Sequence, residues 1–250
     1  MESPAERAES IARDASFQRI ALPGTGLTSF AKAGTARQLA IYIESDGAPW
    51  LARNEPPSDP TPLKALVLRL AMADPSAGVA YVGRPCQYLS KEELLQCDPA
   101  LWMRGRFRAN AVAATNEAID RLKARFGADR VDLVGYSGGG AMATLVAARR
   151  DDVGCIVTIA APLDTQAWTT ALGVSALVSS LNPSDSAERL KNVRQTHFRG
   201  LRDVLVPPRT TSRYFEKSGV AHVIDLENFD HACCWEDAWA RLRLQSCLTQ

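Results

Sequence analysis

Apolar positions along the chain fall into short runs separated by polar stretches of helical length. Residues 16–22 and 28–32 read as extended, and 39–44 (LAIYIE) read as a stronger strand closed by the turn signal Ser45-Asp46-Gly47. Pro62 suits the first turn of a helix reaching residue 73, with Leu63, Leu66, Leu68, Leu70 and Ala71 as its broad apolar face. Residues 78–82 form the next strand. Val112, Ala113, Ile119, Leu122 and Phe126 give 110–126 the spacing of a long helix, stopped by Gly127. A short apolar strand at 131–135 then runs into a helix at 138–148. Strands at 153–160 (VGCIVTIA), 193–199 and 219–226 follow, with helices at 213–217 and 235–245. Strands alternating with helices predict an α/β protein whose mainly parallel sheet is covered on both faces. The charged, alanine-rich opening is expected to be a flexible leader or frayed helix over residues 1–15, with 16–250 as one domain.

Composition narrows the class of partner. At 250 residues and 46% hydrophobic the chain can bury a full core, and 29 Lys plus Arg against 28 Asp plus Glu gives no reason to expect nucleic acid. A small-molecule substrate, neutral or weakly charged, fits better. No run approaches the roughly 18 apolar residues of a transmembrane helix, and residues 1–33 are polar rather than signal-like. The chain as given therefore reads as soluble and cytoplasmic, with periplasm or cell envelope as the alternative if an upstream signal is missing. Six cysteines bear on that choice. Cys86 and Cys97 bracket a short polar segment, and a disulfide between them competes with free thiols.

The sharpest chemical signal is Gly135-Tyr136-Ser137-Gly138-Gly139, a G-x-S-x-G set between an apolar strand and a helix. A strand-to-helix turn there exposes the serine hydroxyl, and the glycines let neighbouring backbones approach. A serine is a weak nucleophile at neutral pH, so it needs a base, and the base needs a third group to fix its tautomer. Of the three histidines, His197 and His222 lie in predicted strands and read as sheet residues. His231 follows the last strand in the loop Asn228-Phe229-Asp230-His231 and is the candidate base. Asp203, in the loop leaving the penultimate strand, is the candidate acid. Asp230 and Asp164 compete with it, the first as the neighbour of His231 and the second from the earlier loop after VGCIVTIA. Charge developing on an attacked carbonyl calls for backbone N–H donors: Gly138, and Asp46 or Gly47 in the turn after the early strand. Glu44 and Asp46 have the competing reading of strand terminators.

The blocks IYIESDGAPW, YVGRPCQY, VDLVGYSGGGAMATLVAARR, GLRDVLVP and FDHACCW resemble the α/β-hydrolase superfamily. They are most similar to small bacterial members, many of them predicted envelope proteins of unassigned activity. The likeness spans roughly residues 22–235. It implies a nucleophilic serine, late aspartate and final histidine, here Ser137, Asp203 and His231, and no cofactor.

Cys233-Cys234 lacks metal-ligand spacing, so packed or disulfide-linked thiols are expected there and no metal. Trp50, Tyr136 and Trp168 are candidates to line an apolar substrate pocket. Only about thirty residues separate the strands ending near 160 and starting near 193, so any cap is small. The reading is acyl transfer to water through an acyl-enzyme on Ser137, from an ester, thioester or amide. A non-catalytic binding protein on the same fold and an acyltransferase are the rivals. Oligomeric state is open.

Overall fold

A computed structural model describes residues 3–48, 56–219 and 222–249. Eight strands form one sheet: β1 (Phe17–Ile20), β2 (Ser29–Lys32), β3 (Gln38–Ile43), β4 (Val79–Val82), β5 (Arg130–Tyr136), β6 (Val153–Ile159), β7 (Arg194–Gly200) and β8 (Val223–Leu226). Their order is β1-β2-β4-β3-β5-β6-β7-β8. The two pairings of β2 are antiparallel, and every pairing from β4 through β3 to β8 is parallel. This is the mainly parallel α/β architecture that the alternation of elements predicts.

Strand pleating sorts the side chains into two cores. Leu39, Ile41 and Ile43 point to one face and Ala40 and Tyr42 to the other. The first face is covered by α4 (Ala109–Phe126), α5 (Gly138–Ala147) and α8 (Ser212–Ser218), through residues such as Leu122, Met142 and Tyr214. The second is covered by α1 (Pro4–Asp14), α2 (Leu66–Met72) and α9 (Trp235–Leu244), with Ala8, Leu68, Trp235 and Trp239 fully buried. Three short helices, α3 (Lys91–Leu94), α6 (Thr165–Leu172) and α7 (Pro183–Ser186), lie in the connections.

Several local expectations change. The opening, expected as a flexible leader or frayed helix over residues 1–15, is the capped helix α1: Ser3 and Glu6 make a capping box, and Ala8 and Ala12 are buried. Helix α2 begins at Leu66 rather than Pro62, and Leu63 is exposed. The last strand is shorter than 219–226, so His222 precedes it, with its Nδ1 bonded to Thr196 Oγ1. Residues 220 and 221 of that expected strand lie outside the described ones.

All six cysteines are paired: Cys86–Cys97 and Cys155–Cys247, with Cα separations of 6.0 and 5.8 Å, and the neighbours Cys233–Cys234. Cys155–Cys247 fastens the C-terminal segment to the centre of β6. Among the described residues no helix is long and apolar enough to cross a membrane.

The sheet's direction reverses at β3, since the chain builds β4 on one side of it and β5 on the other. At such a point adjacent connections diverge and leave a crevice at the carboxyl ends of the strands. Register brings those ends level: Ile43 pairs with Gly135, Tyr136 with Ile159, and Ile159 with Phe198.

Candidate active site

Ser137 leaves β5 and starts α5 with φ 52° and ψ −126°, a conformation side chains rarely adopt. Its N–H donates to Ile159 O at 2.8 Å, and its carbonyl accepts from Gly140 N–H at 2.9 Å. These bonds hold the strained turn.

His231 reaches back over the sheet from the loop after β8. Its carbonyl accepts from Tyr136 Oη–H at 2.5 Å and Trp235 Nε1–H at 3.1 Å. Its imidazole lies between two partners, Asp203 Oδ2 at 2.8 Å from Nδ1 and Ser137 Oγ at 3.1 Å from Nε2. A carboxylate can only accept, so Nδ1 carries the proton and Nε2 is left to accept from the serine hydroxyl. The other oxygen of Asp203 accepts from the N–H groups of Leu205 and Val206 at 2.9 and 2.7 Å. With its side chain 1% exposed, Asp203 is a buried acid with both oxygens engaged.

The competing acids have other work. Asp164 caps α6, accepting from Gln166 and Ala167 N–H and from Asn182 Nδ2. Asp230 folds back on its own loop, accepting from Ala232 and Cys233 N–H, which hold its carboxyl below the usual range. Neither carboxylate is bonded to His231.

The turn after β3 borders the serine. Gly47 N–H donates to Ser45 Oγ at 3.2 Å. Among the described residues, the N–H groups of Asp46 and Gly138 have no protein partner. The structure therefore separates the two expected donors, leaving Asp46 free and Gly47 occupied. Glu44 is no simple strand terminator: its buried carboxylate accepts from Ser45 N–H, Tyr81 Oη and Tyr88 Oη. Burial pushes its carboxyl up against those stabilising bonds. Asp46 turns its side chain to Arg106 Nη1 at 2.7 Å and Arg84 Nη1 at 3.2 Å. Burial works against ionisation of Asp46, but the two guanidiniums outweigh it and hold the carboxyl below its ordinary value.

A cavity of about 280 Å³ opens on Ser137 and His231, lined also by Tyr136, Asp46, Gly47, Trp168 and Arg106. Trp168 on α6 donates its Nε1–H to Leu205 O at 2.6 Å, which ties the small cap to the Asp203 loop. Trp50, the third expected pocket residue, lies outside the described residues. A larger hollow of about 580 Å³ between α5 and α7 shares no residue with this cavity and contains no serine–histidine pair. Among the described residues no group of three His, Cys, Asp or Glu is placed to hold a metal. Sequence reasoning missed Arg106, Arg84 and Trp102. The alternating arginines of Arg104-Gly105-Arg106-Phe107-Arg108 were the available signal.

The family model for the alpha/beta hydrolase fold matches residues 83–200. Est1E from Butyrivibrio proteoclasticus superimposes with a TM-score of 0.63 at 11% identity, covering 94% of this chain and 100% of that one. An esterase from Pyrococcus furiosus gives 0.63 at 11% identity, covering 93% and 91%. A puromycin hydrolase gives 0.61 at 19% identity over 90% of this chain, which spans only 37% of that protein's length. No curated protein matches the sequence. The chain thus has the α/β-hydrolase fold.

Proposed function

We propose that the chain is a serine hydrolase that cleaves an ester, thioester or amide of a small substrate. The observation that carries the reading is the bridge His231 makes between Ser137 Oγ and Asp203 Oδ2 at the mouth of a cavity. Nε2 of His231 takes the hydroxyl proton as Oγ attacks the carbonyl, and Asp203 stabilises the imidazolium that forms. The carbonyl oxygen becomes an oxyanion facing the unpartnered N–H groups of Gly138 and Asp46. His231 returns the proton to the departing alcohol, thiol or amine, leaving an acyl group on Ser137. Water then attacks that acyl group by the same route in reverse. The esterases among the structural relatives support carbonyl chemistry at this edge of the sheet.

Intact-protein mass spectrometry after a fluorophosphonate probe tests the assignment. Stoichiometric labelling of wild type, lost in Ser137→Ala and His231→Ala, is expected. A folded wild type that takes no label would leave a binding protein on a hydrolase fold.

Cys86–Cys97 and Cys155–Cys247 support a separate proposal, maturation in an oxidising compartment, where such links persist. Protein from its native host should be at least four hydrogens lighter than the fully reduced chain.

A further inference from the structure

Arg106 lines the same cavity as Ser137 and His231, and its guanidinium is already oriented. Nε–H donates to Met103 O at 2.7 Å, Nη1–H donates to Asp46 Oδ2 at 2.7 Å, and the group lies 6.0 Å from the Trp168 ring centroid. These contacts fix the plane of the fork and leave Nη2 without a protein partner among the described residues. An oriented guanidinium with unclaimed N–H groups matches the geometry of a carboxylate.

Charge bookkeeping around the turn points the same way. One carboxylate, Asp46, meets two guanidiniums. Arg84 is sealed, with its side chain 4% exposed and its Nη2–H donated to Arg106 O, whereas the Arg106 side chain retains 12% exposure. Glu44 acts electrostatically on Arg84, accepts from Ser45, Tyr81 and Tyr88, and does not line the cavity. Of the two guanidiniums, the one at the cavity wall is therefore Arg106, which among the described residues has no carboxylate partner besides the Asp46 it shares with Arg84. The lining also includes the apolar Pro57, Trp102, Leu172 and Val206, which lower the local dielectric and strengthen an ionic contact. The charge also lies close to the reacting centre. A Cβ built on Gly138 would come within 2.1 Å of Asp46 Oδ1, so the carboxylate that grips Arg106 touches the serine turn.

We propose that this cavity takes substrates bearing a carboxylate a few bonds from the scissile carbonyl, with Arg106 as the residue that receives the anion. The inference rests on the serine-hydrolase reading for the identity of the reaction. The anion can sit on the acyl chain or on the leaving group. The competing role for Arg106 is a strut that braces the turn through Asp46, and a strut would serve neutral and anionic substrates alike.

Two matched substrate pairs separate these roles. On the acyl side, the para-nitrophenyl monoester of adipic acid is compared with para-nitrophenyl hexanoate. On the leaving side, para-carboxyphenyl butyrate is compared with phenyl butyrate, each corrected for its uncatalysed rate. Wild type should prefer the anionic member of one pair in kcat/KM. Arg106→Gln should lower that preference by about tenfold or more, mainly through KM, and Arg106→Lys should retain part of it. Equal use of both members of both pairs by wild type would overturn the proposal, as would an equal loss for both members in Arg106→Gln. Calorimetric binding of glutarate to Ser137→Ala, weakened in Ser137→Ala/Arg106→Gln, reads the subsite without turnover. If the fluorophosphonate probe fails to label Ser137 but glutarate binding depends on Arg106, the hydrolase reading falls and the anion subsite stands. If labelling succeeds but neither glutarate nor the anionic esters are favoured, only the subsite falls.

Discussion

His231 and His197 each have both ring nitrogens hydrogen-bonded, yet their surroundings make them different chemical devices. His197, in the middle of β7, bonds Thr158 Oγ1 at 2.7 Å and Gln195 Oε1 at 3.2 Å, and packs against the rings of Tyr214 and Phe215. It is 1% exposed, and burial pushes its pKa down to about 3, with Arg199 and His222 adding to the effect. His231 has a carboxylate on one nitrogen, a hydroxyl on the other, and a cavity beside it. Completeness of hydrogen bonding therefore does not distinguish the two. What separates the two is the partner and the access of a third molecule: a carboxylate orients His231 beside a cavity, whereas burial, with Arg199 and His222 nearby, opposes charge on His197.

The sharpest way to break this comparison is to remove the charge on His231's partner. Asp203→Asn keeps the size of the side chain but lets the ring adopt the wrong tautomer, so kcat should fall by about 10³- to 10⁴-fold with the circular dichroism spectrum unchanged. Near-normal turnover would mean that the Asp203 contact orients nothing.

A second test disturbs the turn opposite His231. Gly47 has φ +92°, and a Cβ there would lie 1.7 Å from Pro60 O, so Gly47→Ala must move the backbone that carries the Asp46 N–H. A loss of about 10²-fold in kcat, with a lowered melting temperature, is the expected outcome. If only the melting temperature changes, the Asp46 N–H is not an oxyanion donor.

The buried histidine should respond in the opposite currency, stability rather than rate. His197→Phe leaves Gln195 Oε1 its bond from Tyr214 but removes the partner of Thr158, and should cost about 1–3 kcal/mol in urea unfolding with kcat little altered.

Reckoned per pH unit, the most gradual effect concerns acid. Because the folded-state pKa of His197 is depressed from 6.5 to about 3, the unfolded chain binds a proton there in that window and the folded one does not. The stability linked to this group is complete above about pH 6.5 and falls as pH drops toward 3, by at most about 1.4 kcal/mol per pH unit. Denaturation curves across that range should show a shallower slope in His197→Phe than in wild type.

Much of this architecture is legible without coordinates, for identifiable reasons. The strands at 39–44, 131–135 and 153–160 are buried on both faces, and burial of that kind writes itself as continuous apolar runs. The opening helix was harder to read because its buried face consists of alanines, which carry little hydropathic signal. The start of α2 was misplaced because Pro62 is equally at home in the loop that precedes it.

Sequence by itself determined what is local: the strand, tight turn and helix around Ser137, and the order in which Ser137, Asp203 and His231 follow β5, β7 and β8. Short-range spacing and backbone sterics are properties of neighbours in the chain. Only the tertiary structure distinguishes the surroundings of Asp203, Asp164 and Asp230, since the ring that meets Asp203 comes from elsewhere in the fold, while Asp164 and Asp230 accept from N–H groups close by in sequence. It likewise decided that Gly47 N–H rather than Asp46 N–H is taken by Ser45, that all six cysteines pair, and that Arg106 lines the serine's cavity. Those outcomes depend on distances between segments up to about a hundred residues apart. The crossing of β-strand ends fixes such distances, and no pattern along the chain records them.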